Sequence, residues 1–172
     1  SKHDVFEGAS EVPPLVLPVG GTLNVVAGCG TKKSYRTRQY MESLPADSRI
    51  LVLSVRLSHA HDALRELEYL GFVAYNDATY KGEKGRERLL AEPRLIISLE
   101  SLHRVADAAP YDLMVMDEVR TLCGVFGGKT LTRPESIDTL KRLYQSAKCR
   151  LTLDADASLD GAVDDLMVGL AG

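Results

Sequence analysis

Six short, nearly unbroken apolar runs constrain this chain more than any other feature: residues 23–27, 50–54, 72–75, 95–99, 113–116 and 150–153. A strand with one wet face alternates apolar and polar residues. A continuous apolar run instead implies burial on both faces, as in a parallel sheet layered between helices. The intervening segments have the matching helical character. Residues 59–70 place Ala60, Ala63, Leu64, Leu67 and Leu70 at three-and-four spacing, and Gly71 stops the pattern. Residues 134–147 put Ile137, Leu140, Leu143 and Tyr144 on one face, with Pro134 suited to the first turn. Residues 34–44 are expected to be helical too. Strands alternating with helices predict an α/β fold, a mainly parallel sheet with helices on both faces.

The chain of 172 residues is long enough to bury a substantial core as one domain. Residues 1–20, with Pro13, Pro14 and Pro18, read as an extended lead-in, and residues 21–172 as the folded domain. Residues 81–88 read as a charged loop or a helix start. Net charge is −3, so any nucleic-acid surface must be local. Cys29, Cys123 and Cys149 form no CxxC pair and no even framework, which points to a reducing, intracellular compartment, nucleus or cytoplasm, and away from zinc. No apolar run approaches the ~20 residues of a membrane span, and the first ten residues lack a signal peptide's apolar core. The chain begins at Ser1 rather than Met, so a longer native chain is expected.

The first apolar run ends in Ala27-Gly28-Cys29-Gly30-Thr31-Lys32-Lys33-Ser34, and a helix is expected to open there. This is the setting of a phosphate-binding loop. A glycine-rich turn lets backbone N–H groups converge on phosphate oxygens, and the helix N-terminus adds positive potential. Gly28, Cys29, Gly30, Thr31, Lys32, Lys33 and Ser34 are therefore the nucleotide-binding candidates. Lys33 would reach the β- and γ-phosphates, and the Ser34 hydroxyl would ligate Mg2+. Lys32 stands where such loops usually carry glycine, and a side chain there is expected to strain a tight turn. A glycine-rich turn without a ligand is the plainer alternative. A dinucleotide-binding turn fits less well, because Lys33 occupies the place of the third glycine of GxGxxG.

About 85 residues on, the run ending at Met116 leads straight into Asp117 and Glu118. Acids at the carboxyl end of a strand stand where open α/β sheets bind ligands. Asp117 would hold Mg2+ through its water shell, and Glu118 would orient or deprotonate the attacking water. Helix capping is the alternative reading for such acids. A third strand end carries Asp154 and Asp156, which could sense the γ-phosphate region and relay its state, or could cap a helix. His59 and His61 read as surface or capping groups at a helix start.

Taken in order, these segments resemble superfamily 2 helicases, and most closely the herpesvirus-type replication origin-binding protein helicases. AGCGTKKS is similar to motif I, LVLSVRLSHA (51–60) to motif Ia, LIISLESLHRV (95–105) to the segment before the acid box, YDLMVMDEVRTL (111–122) to the Walker B box, and LTLDADAS (151–158) to motif III. The resemblance covers residues 22–158. It implies a RecA-like P-loop NTPase domain, the first motor domain of an ATP-driven helicase or translocase linked to replication, with ATP and Mg2+ as ligands. It implies single-stranded nucleic acid as partner, DNA more than RNA, with Ser54, Arg56, Ser98, Ser101, His103 and Arg104 as contact candidates. Hydroxyls and guanidinium groups suit phosphate oxygens.

Two departures qualify the expectation. Arg120 stands at the fourth position of the acid box, where histidine or aspartate is common. The second RecA-like domain, with its arginine finger, is not in this sequence. The isolated chain is therefore expected to bind nucleotide weakly and hydrolyse it slowly. A nucleotide-binding switch with Lys32 as its signature, or a non-catalytic scaffold of the same fold, are the other outcomes that the residues allow.

Overall fold

A computed structural model describes residues 3–8, 10–28, 30–54, 57–118, 134–155 and 169. Cys29, Arg56, Arg120, Cys123 and Asp156 lie outside the described residues. Among the described residues seven strands form one sheet: β1 (His3–Gly8), β2 (Thr22–Ala27), β3 (Ile50–Ser54), β4 (Val73–Ala74), β5 (Arg94–Ser98), β6 (Leu113–Asp117) and β7 (Cys149–Asp154), in the order β1-β2-β7-β6-β3-β5-β4. Among the described residues every strand pairing is parallel. The helices are α1 (Lys33–Ser43), α2 (Leu57–Leu67), α3 (Gly82–Ala91) and α4 (Pro134–Ser146), with short 3-10 segments at Glu68–Leu70, Ala78–Tyr80 and Leu99–Val105.

β3 and β5 are buried at all five positions, the consequence of cover on both faces. On one face α1 meets α2, with Arg38 bonded to Glu66 and Tyr69 to Glu42. On the other, α3, α4 and the Leu99–Val105 turn are tied together, by Arg86 to Asp107 and Ser136 to the Glu100 carbonyl. Right-handed crossovers give this partition: the chain steps outward across the sheet from β2 to β4 and returns through β5 and β6 to β7. Leu51, Leu53, Ile96, Ile97, Met114 and Met116 form the centre of the core. Among the described residues, no helix is long and apolar enough to cross a membrane.

Three local outcomes differ from the reading of the sequence, and a fourth decides between the loop and the helix start expected at 81–88. His3–Gly8, inside the lead-in, pairs with β2 as an edge strand, and Val12 and Leu17 of the same lead-in are buried in the core. The charged segment at 81–88 belongs to a true helix, α3. Its Gly85 is required by packing, because a Cβ there would lie 2.2 Å from the Tyr80 carbonyl carbon. The helix over 59–70 is α from Leu57 to Leu67 and then tightens to 3-10, ending at Gly71 with φ +87°. β4 is only two residues long, at the sheet's edge.

Candidate nucleotide site

All the strands point the same way, so Ala27, Ser54, Ser98, Asp117 and Asp154 gather at one edge of the sheet. The register fixes their heights. Leu153 pairs with both Val25 and Asp117, and Asp154 pairs with Val26. One strand, β7, separates β2 from β6, which sets the two about 10 Å apart. The phosphate-loop candidate and the acid pair therefore share one edge of the sheet.

The loop leaves β2 at Gly28 and turns through Gly30, whose φ is +77°. Thr31 is buried, and its hydroxyl donates to the Gly28 carbonyl at 2.6 Å. Lys32 follows in left-handed backbone, φ 65° and ψ 21°, as the N-cap of α1. That geometry is the strain expected of a side chain at this position, since left-handed backbone costs a non-glycine residue roughly 1–2 kcal/mol. Lys32 offers no side-chain cap, so the first N–H groups of α1 are not satisfied by it, and N–H groups at such a helix start can serve an anion. Its ammonium pairs instead with Glu11 of the lead-in, at 3.1 Å. The same lead-in segment is laced to the loop twice more: Val12 N–H donates to the Thr31 carbonyl at 2.8 Å, and Arg36 Nε donates to the Val12 carbonyl at 2.8 Å. The lead-in prolines gave no sign of this strap.

Lys33 folds back so that its ammonium donates to the Ala27 carbonyl at 2.7 Å. The amine is thus held over the mouth of the loop by one exchangeable bond. Ser34 is the second residue of α1, and with Asp117 it borders a small cleft of about 60 Å³ whose other walls are mainly apolar, Met41, Val52, Leu67 and Val115 among them. A hydroxyl and a carboxylate on one cleft are hard oxygen donors, the set that Mg2+ prefers while keeping waters and phosphate oxygens in its remaining positions. Among the described residues, no three His, Cys, Asp or Glu side chains converge as a self-sufficient metal cage. The donor set fits an ion brought in with a phosphate chain.

Asp117 and Glu118 differ in environment. Asp117 has solvent-accessible surface, yet it stands in a concave edge dense with protein atoms. That crowding is the largest influence on it and raises its pKa; the Glu118 N–H, which donates to Oδ1 at 2.9 Å, and the nearby Lys33 charge pull the other way. Open access to water keeps the effect modest. Glu118 sits in left-handed backbone, φ 52°, and its Oε2 lies 3.3 Å from His59 Nδ1 at the start of α2.

The remaining candidates fall in several settings. Ser54 and Ser98 are register partners at adjacent strand ends, both buried. Ser101 is half-buried, and His103 Nδ1 lies 3.0 Å from the Glu100 carbonyl. The Arg104 guanidinium is bonded to the carbonyls of Tyr75 and Tyr80, which gives it an internal bracing role. Asp154 accepts from the Ala155 N–H at 2.7 Å, one strand from the phosphate loop.

The chain matches the family described as origin of replication binding protein over residues 22–172. It is 31% identical over 156 residues to the replication origin-binding protein of Varicella-zoster virus (strain Dumas), covering 86% of this chain and 18% of that protein. The corresponding protein of Bovine herpesvirus 1.1 (strain Cooper) is 30% identical over 167 residues, 92% of this chain and 19% of the relative. The chain thus spans about a fifth of the length of these relatives. Among solved structures, the helicase MrfA bound to DNA superposes with a TM-score of 0.61 at 16% identity, over 86% of this chain and 24% of that one. The Sulfolobus solfataricus SWI2/SNF2 ATPase core in complex with dsDNA superposes at 0.57 with 12% identity, over 86% of this chain and 30% of that one. At such identities the likeness concerns the fold, which is that of a helicase RecA-like domain.

Proposed function

We propose, from the premise that this chain belongs to the origin of replication binding protein family, that it is the ATP-binding first motor domain of a replication-linked DNA helicase or translocase. The observation that carries the reading is the register: β2 and β6 finish at the same edge of the sheet, one strand apart, so the phosphate-loop candidate after Ala27 and the acids at Asp117 and Glu118 open on the same side, and Ser34 and Asp117 both border one small, largely apolar cleft. Lys33 is one residue from Ser34 and Glu118 one residue from Asp117.

In this reading the amides of residues 28–34 cradle the phosphate chain, and Lys33 leaves the Ala27 carbonyl to pair with the β- and γ-phosphates. Ser34 and Asp117 would hold Mg2+, whose charge neutralises the phosphate oxygens as they are transferred. Glu118 orients and deprotonates the attacking water. Asp154, and Asp156 beyond the described residues, would relay the state of the γ-phosphate. Ser54, Ser98, Ser101, His103 and Arg104 end or follow strands at the same edge and are the described candidates for contact with the backbone of single-stranded DNA, although Arg104 would have to leave the Tyr75 and Tyr80 carbonyls to make it; Arg56 lies outside the described residues. A second RecA-like domain in the complete protein would supply the charge that stabilises the transition state, and the site of action would be the nucleus or cytoplasm.

Steady-state ATP turnover of the complete protein, with and without single-stranded DNA, tests the reading. Turnover should rise with DNA and fall to background in Lys33→Ala. Lys33→Ala with undiminished turnover would remove the assignment. Glu118→Gln separates a motor from a nucleotide switch, since it should trap bound ATP in the former and change little in the latter.

A further inference from the structure

Lys32 stands where phosphate loops usually carry glycine, and the lead-in strap sends its ammonium and its backbone N–H in different directions. The Thr31 carbonyl accepts from the Val12 N–H at 2.8 Å, so it points at the strap. In a trans peptide the C=O and the following N–H point opposite ways. The Lys32 N–H is therefore turned away from the strap. Its ammonium goes toward the strap, to Glu11 at 3.1 Å, one residue before Val12. Arg36, one turn on in α1, fixes this arrangement by donating from Nε to the Val12 carbonyl at 2.8 Å, and the Val12 side chain is buried in the core.

The charge balance of the loop follows. Lys32 and Lys33 are adjacent cations at a helix start, which by itself favours anions. Two ammonium groups at such a start would favour the most highly charged polyanion on offer. Mg2+ cancels part of the charge of a triphosphate, so the metal-bound form gains less from each added cation. A carboxylate that occupies one of the two ammonium groups therefore weakens the preference for the metal-free form. Lys32 and Glu11 are 51% and 62% exposed, so a dissolved polyanion can compete for this ammonium, and the effect of the pair is modest.

We propose that Glu11 is a specificity-determining residue: by holding the Lys32 ammonium on the strap, it biases the loop toward metal-bound triphosphate and against metal-free polyphosphate. The inference rests on the nucleotide-site reading above and adds to it a role for the lead-in in selecting the ligand.

The test is calorimetric binding of two probes to the complete protein, inorganic tripolyphosphate without metal and ATP with saturating Mg2+. The proteins are wild type, Glu11→Gln, Lys32→Gly, the Glu11→Gln/Lys32→Gly double variant and Lys33→Ala. Glu11→Gln should tighten tripolyphosphate binding by up to roughly fivefold at low salt, the most that an exposed pair can withhold, and Mg-ATP binding by less. Added salt should shrink the shift. In the Lys32→Gly background the same Glu11→Gln change should leave the ratio of the two Kd values where it was. An unchanged ratio in Glu11→Gln, or an equal shift when Lys32 is already glycine, overturns the proposal. So does a Glu11→Gln variant that weakens both probes alike with a lowered Tm, because the strap would then act only through stability. Lys33→Ala should weaken both probes; binding indifferent to Lys33→Ala would overturn the nucleotide-site reading itself, which separates the two failures.

Discussion

The two ends of β6 carry aspartates with opposite fates. At the start, Asp112 accepts the Arg49 N–H at 2.7 Å and pairs with Lys148 at 3.0 Å, and these bonds, the backbone one foremost, lower its pKa. At the far end the crowding around Asp117 outweighs the Glu118 N–H and the nearby Lys33 charge, and its pKa is raised. The pattern extends across the sheet. The starting edge holds two buried arginines with their donors occupied: Arg94 bonds the carbonyls of Ser48, Leu70 and Pro45, and Arg150 bonds Thr22, Gly20, Tyr144 and Ala147 while stacking on the Tyr144 ring. The finishing edge holds Lys32 and Glu118 in left-handed backbone and a lysine ammonium resting on a carbonyl. One edge is built to stay closed. The other carries charge and left-handed backbone, and local conflict of that kind is a mark of functional sites.

The sharpest way to break this contrast is to exchange the consequences of mutation between the edges. Arg150→Met should destabilise the fold by about 3–5 kcal/mol, because it strands several buried acceptors at once. Lys33→Ala should move stability by less than about 1 kcal/mol, since it removes one part-exposed bond. Urea unfolding of the two variants measures both; equal losses would erase the distinction between the edges. Next in size, Glu118→Gln should lower ATP turnover by about 10²–10⁴-fold, the usual contribution of a general base, with the unfolding midpoint unchanged or slightly raised.

A smaller effect sharpens the comparison at the loop. Lys32→Gly relieves the left-handed backbone but loses the exposed pair with Glu11. The net should be a gain of about 1 kcal/mol or less, seen as a higher Tm, with nucleotide affinity retained. Loss of stability would mean that the Glu11 contact outweighs the strain.

The smallest effect is the dependence on pH, and its sign differs between the two ends of β6. Asp112 has a lowered folded pKa, so its stabilisation is present above its ordinary value of 3.8 and is lost as pH falls through the lowered value. Asp112→Asn should therefore destabilise at neutral pH, with the deficit vanishing in strong acid. Asp117 has a raised pKa, so the folded state takes up a proton first as pH falls from neutral toward 3.8, and stability contributed by that residue rises. Asp117→Asn should stabilise slightly at neutral pH, and the gain should disappear on acidification through the raised value. Denaturation midpoints across that window decide between parallel and opposite slopes.

Much of this was legible from residue order. The six apolar runs correspond to six of the seven strands, because double-sided burial leaves an unmistakable signature in β3, β5 and β6. The sequence placed the phosphate-loop candidate and the acid pair at strand ends, and the structure puts those strand ends at one edge of the sheet. The edge strand β1 was not legible, since HDVFEG is short and is followed by a proline-rich stretch. At 81–88 the sequence left a loop and a helix start both open, because Gly85 weakens a helix; its close approach to Tyr80 is visible only in the folded chain. Arg94, Arg150 and His59 act through partners distant in sequence, such as Thr22 to Arg150, and no local pattern records such partners. Arg104 carries the hydroxyl-and-arginine pattern of a phosphate contact, but the carbonyls it braces appear only once the chain is folded.

The most direct measurement is a crystal structure of this chain soaked with Mg2+ and a non-hydrolysable ATP analogue. The account predicts the γ-phosphate in the amide cup of residues 28–34, Lys33 Nζ moved from Ala27 to the phosphates, and the metal between Ser34 and the water shell of Asp117. A nucleotide bound elsewhere, or a loop in which Lys33 stays on Ala27 with no metal between Ser34 and Asp117, would contradict it.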